Sequence, residues 1–166
     1  VITVGGLPAH PLIVHIVVVL IPLTTLAAIA VAVRGTWRRG GSLLVALGAV
    51  VSFVAAWLAM EAGEQLLTAL SAGGHLSPNF DSHDKWGTYT WYATIPFAVL
   101  AIITAILARR SSRPAPAHGG TAVATTSVAT TVVAWLTVLA GLDALVFCFL
   151  AGDSGSRAVW GFLTGG

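Results

Sequence analysis

Four long apolar runs, at about 11–33, 42–70, 86–108 and 122–151, dominate this chain and limit what it can fold into. A helix crosses a bilayer with about 20 apolar residues, so each run is long enough to span. The second run is purely apolar only as far as Met60 and is read as continuing in helical form past the membrane, through Glu61 and Glu64, to about Leu70. Of the 166 residues 57% are hydrophobic and only 8% charged, whereas a soluble domain carries about 25% charged residues. Disorder is excluded by that balance. Eight Lys and Arg against six Asp and Glu are too few to neutralise a row of phosphates, which excludes nucleic-acid binding. The single cysteine, Cys148, lies in an apolar run and reads as a small buried hydrophobe.

The connections are short, longer, short, which suits an all-α, four-transmembrane-helix bundle of up-down-up-down order in one domain over residues 1–166. No internal repeat is evident. Cations assign the sides, because short cytoplasmic loops collect Lys and Arg. Arg34, Arg38, Arg39, Arg109, Arg110 and Arg113 fall on one side, and only Lys85 and Arg157 on the other. The chain is therefore expected to be multi-pass in a bacterial cytoplasmic (inner) membrane, with the lipid bilayer as its first partner and both termini outward. No Lys or Arg precedes the first run, so a cleaved signal peptide is not expected there.

An ionisable group inside a span costs about 3 kcal/mol at the helix centre and is a functional candidate by default. In this chain such groups converge on the outer side. Pro11 suits a first helical turn, where its missing N–H costs nothing; His10 then sits at the helix mouth and His15 about a turn deeper. Five residues apart, the two histidines differ by roughly 140° around a helix and cannot both face one partner. Glu61 and Glu64 share a face of the second helix, where carboxylates can ligate a metal or orient a histidine. Asp81 or Ser82 is placed to cap the third helix, with His83 in its first turn. Asp143 is too deep in the fourth run to be a cap. A buried acid there needs His15, His83 or Arg157 as partner, or a proton of its own. His75 and His118 sit among loop glycines and read as solvated, and Pro22 and Pro96 are expected to kink the first and third helices.

The stretch Leu7-Pro-Ala-His10-Pro-Leu-Ile-Val-His15, with Gly63-Glu64 and His83, resembles a widespread uncharacterised family of small four-helix bacterial membrane proteins. Its members open with a His-Pro-Leu-x-Val-His-like signature, and some are fused to Rieske or cytochrome c domains. The resemblance implies an association with membrane electron transfer. This chain carries no such redox domain and no Cys-x-x-Cys-His motif, so an electron partner would be a separate subunit.

Three readings follow. In the first, His15 and His83, with His10 as substitute, ligate a b-type haem near the outer face. Trp86, Tyr89 and Phe97 line the ring, and electrons pass to a quinone or a respiratory partner. In the second, His10, His15, Glu61, Glu64 and His83 hold a non-haem zinc, iron or manganese. In the third, the chain is an accessory structural subunit of a respiratory complex. No serine elbow, phosphate loop or zincin motif is present, which favours an electron-transfer or accessory subunit over a stand-alone enzyme.

Overall fold

A computed structural model describes residues 1–73, 80–110 and 127–164. His75, Arg113, His118 and the start of the fourth run lie outside the described residues. The fold is all-α apart from a small hairpin. Strands β1 (Thr3–Val4) and β2 (Leu7–Pro8) lead into helix α1 (Ala9–Val33), and a 3-10 turn at Gly35–Trp37 joins it to α2 (Arg38–Ala72). Then come α3 (Phe80–Arg110) and α4 (Val128–Thr164). All four helices are long and apolar enough to cross a membrane. Neighbours run antiparallel, and α1 packs on α2, α2 on α3, α3 on α4 and α4 back on α1. The up-down-up-down order expected from the loop lengths is the one found.

The two longest helices, α2 and α4, are much longer than a span. The 35 residues of α2 reach about 52 Å, well beyond a hydrocarbon core of about 30 Å. This is the continuation past Met60 that the sequence suggests. In α4 the helix continues to Thr164, beyond the expected end near residue 151, because Asp153, Ser154 and Ser156 leave the apolar pattern without breaking the helix. Ser154 and Ser156 bond back to carbonyls of their own helix, and Arg157 pairs with Asp153 one turn earlier. Both α1 and α3 continue through Pro22 and Pro96.

The interior is built of small residues. Ala49, Ala101 and Ala144 are fully buried, as are Ser42, Ser52, Thr94, Thr130 and Thr137, while Leu44, Leu139 and Phe149 face outward. This inverts the soluble pattern. Lipid satisfies large side chains as well as a core would, and small ones let helices approach closely. Several buried hydroxyls are satisfied locally: Thr25 donates to the Ile21 carbonyl and Ser52 to that of Gly48, the i−4 bond usual for such residues in a helix.

The hairpin sets the start of α1. Gly5 and Gly6 have φ of 59° and 83°, as the two-residue type I′ turn requires. Folded back, the Ile2 carbonyl accepts from the Ala9 N–H at 2.9 Å, satisfying a helix-start donor that has no partner within the helix. The Ile2 N–H donates to Gln65 Oε1 of α2 at 3.2 Å. The first turn of α1, with His10 in it, is thus held against the second half of α2.

Candidate functional site

At the end of the bundle where α1 and α3 begin and α2 and α4 finish, the helices enclose a cavity of about 340 Å³. Its walls come from all four, and the overlong parts of α2 and α4 form much of them through Leu66, Leu67, Gly155 and Val159. His10, His15, His83 and Asp84 also line it.

His10 and His83 stand on diagonally opposite helices yet meet across this space. Their ring centroids are 5.8 Å apart and the rings are nearly perpendicular, at 84°. Each ring is tied to the helix that follows its own. His10 Nδ1 lies 2.7 Å from the Ala59 carbonyl of α2, and His83 Nδ1 lies 2.9 Å from the Ala151 carbonyl of α4. A carbonyl can only accept, so both Nδ1 atoms carry the proton. In the neutral ring Nε2 is then the atom with a free lone pair, and the same contact fixes the ring's orientation.

Beside each ring, one turn past the accepting alanine, is a glycine. A Cβ on Gly63 would lie 3.0 Å from His10 Nδ1 and Cε1, and one on Gly155 would lie 2.8 Å from His83 Nδ1. Ala59-x-x-x-Gly63 on α2 and Ala151-x-x-x-Gly155 on α4 are thus the same seat, each holding a histidine from the start of the preceding helix. The sequence shows no repeat by inspection; the fold reveals this one. Two Ala-x-x-x-Gly spacings, each following a helix that opens with histidine, are the signal that carries it.

The remaining expected site residues do not join this pair. His15 lies at the cavity but is exposed, and its Nδ1 turns back to the Pro11 carbonyl of its own helix at 2.5 Å. The partner of His83 is therefore His10 and not His15, because the 140° between the two positions of α1 aims only His10 at α2 and α3. Trp86 stacks on Phe147, with ring centroids 6.1 Å apart, and Tyr89 also packs on Phe147. Neither lines the cavity. Phe97 is fully buried in a different cluster near mid-bundle, with Ala28, Ala49 and Ala101. Glu61 is half-buried and Glu64 exposed, and neither lines the cavity. Among the described residues no three His, Cys, Asp or Glu side chains stand close enough together to hold a metal ion. Asp81 lies inside the first turn of α3, where the helix dipole favours an acid. Cys148 is buried, as expected, and forms part of the cavity wall.

Asp143 departs furthest from expectation. It is exposed on the outer face of α4 and meets none of His15, His83 or Arg157. The reason is its helical phase: Ala144 and Gly141 on either side of it turn inward and are buried, which leaves Asp143 with Leu142 and Val146 on the outside.

The model of a family described as "Predicted membrane protein (DUF2231)" matches residues 6–165. No curated protein and no solved structure matches.

Proposed function

The chain belongs to this DUF2231 family of membrane proteins, and we propose that it binds a b-type haem in the four-helix cavity through Nε2 of His10 and His83, acting as an electron carrier. One observation carries the reading: two half-buried imidazoles from opposite helices, each with Nδ1 held by a carbonyl, meet at the wall of one cavity. A histidine that ligates iron or another metal commonly donates its other ring N–H in this way. Metal–imidazole bonds are about 2 Å long, so two nitrogens on one metal sit at most about 4 Å apart, and ring centres 5.8 Å apart are on that scale. Two imidazoles fall short of the four ligands of a protein-bound structural zinc, whereas a haem would need no more than two from the protein, because its macrocycle would supply the rest.

When bound, the haem supplies one-electron chemistry. The chain's own residues do the positioning. Ala59 and Ala151 orient the rings, Gly63 and Gly155 leave room for them, and Val14, Leu66, Leu67 and Val159 keep the site apolar. Exposed Arg34, Arg39, Arg109 and Arg110 all lie at the opposite end. By the rule that cations stay inside, the cavity faces outward from a bacterial cytoplasmic membrane, where a quinone or a separate redox subunit would exchange electrons with it.

The test is an optical spectrum, oxidised and dithionite-reduced, of protein purified in mild detergent from haem-supplemented cells, with metal analysis on the same sample. Sharp α and Soret bands at about one haem per chain are expected, lost in His10→Ala and in His83→Ala and kept in His15→Ala and Glu61→Ala. A featureless spectrum of the folded parent protein overturns the reading.

A further inference from the structure

Asp143 is the polar group that the cavity does not absorb. It lies near the middle of α4, between Gly141, which packs on Thr25 and Phe97, and Ala144, which is buried with Ile21 and Ala93. Its side chain is exposed on the outside of the bundle, where a spanning helix meets lipid. An aspartate is too short to reach the headgroups from there, and a lone carboxylate in hydrocarbon is strongly unfavourable. No hydrogen bond or ion pair satisfies it among the described residues.

The surrounding face has a regular pattern. Val132, Leu136, Leu139, Asp143 and Val146 are spaced 4, 3, 4, 3, and the four apolar ones are 43–60% exposed. At about 100° per residue the five positions lie within about 80° of one another. This is the seam of a left-handed helix pair, and a single polar residue in such a seam sets register.

We propose that this face of α4 pairs with α4 of a second copy of the chain about a two-fold axis, bringing the two Asp143 side chains together. The chemistry selects this occupant. A carboxyl group facing hydrocarbon needs a polar partner, and a protonated carboxyl is both donor and acceptor, so its own kind is its complement. A two-fold axis at that position brings the same residue from both copies together. Contact through another face would offer no equal partner, because the other side chains exposed at mid-span among the described residues are apolar or aromatic.

The test measures self-association of the full chain in detergent and in lipid nanodiscs by mass. The parent is expected to be a dimer. Asp143→Ala should weaken association about tenfold, the scale of a hydrogen bond between membrane helices, and Asp143→Asn should restore it, since an amide also donates and accepts. In a Cys148→Ser background, Leu139→Cys should oxidise to a covalent dimer and Leu47→Cys on α2 should not. This keeps the proposal testable if Asp143→Ala fails to fold. A monomeric parent, a dimer indifferent to Asp143→Ala, or cross-linking from position 47 in place of 139 would overturn it.

Discussion

At the end of the bundle where α2 begins, Nε, Nη1 and Nη2 of Arg38 each donate to a different acceptor: the carbonyls of Val31 and Ala32 and the hydroxyl of Thr131. Arg38 is 8% exposed. It satisfies carbonyls in the last turn of α1, where the helix dipole also favours a cation, and ties that helix to α4. The space nearby, a void of about 10 Å³ lined by Val31, Ser42 and Thr137, is about what one water needs. At the other end His10 and His83 also donate to backbone carbonyls of neighbouring helices, yet a cavity of about 340 Å³ stays open beside them. The difference is one of remaining capacity. Three guanidinium nitrogens are already used in closing the bundle, whereas each imidazole uses one nitrogen for the fold and has in Nε2 a second with a free lone pair.

Arg38→Ala should sharpen this contrast most. Charged hydrogen bonds contribute about 1.5–3 kcal/mol each and the lost ones share a single side chain, so a loss of about 3 kcal/mol is expected. It would appear as a lower thermal midpoint in detergent, with ligand content of the folded fraction unchanged. A fall in ligand content with unchanged stability would mean that Arg38 serves the cavity and not the closure of the bundle.

At the histidine end, graded substitutions of glycine by alanine probe the seats. Gly155→Ala puts a Cβ 2.8 Å from His83 Nδ1 and Gly63→Ala puts one 3.0 Å from His10 Nδ1, whereas at Gly152 nothing lies within 4 Å. Overpacking of this kind costs about 1–3 kcal/mol. Haem retention should fall in the order Gly152→Ala, Gly63→Ala, Gly155→Ala, with Gly152→Ala close to the parent. Equal retention in all three would remove the seats from the argument.

The smallest effect is expected at Trp91, in the same half of the bundle. Its Nε1 is buried without an acceptor among the described residues, while the ring stacks on Phe53 at 6.3 Å. Trp91→Phe removes an unsatisfied donor along with some packing, so stability should change by less than about 1 kcal/mol in either direction. A loss comparable with that of Arg38→Ala, read in the same melting assay, would mean that the donor has a partner on which the fold depends.

Much of this architecture is legible in the residues. Long apolar runs need helices, because backbone groups in lipid must be satisfied within their own segment; Arg34, Arg39, Arg109 and Arg110 mark one end of the bundle, and His10 and His83 open their helices at the other. The contacts of those side chains are less legible. The seats at Ala59 and Ala151 are backbone carbonyls, which every residue possesses, so no residue type announces them. Gly155 lies in a helix extension beyond the apolar pattern, and Trp86, Tyr89 and Phe97 are aromatic wherever they point. Asp143 looks buried in one dimension and proves exposed, because a few tens of degrees of helical phase separate the bundle interior from lipid. Class, span number and alternating order thus follow from hydrophobic length, a local property of the chain. Which histidine meets which, and which face holds the acid, depends on how the helices rotate against one another, and only their packing decides that.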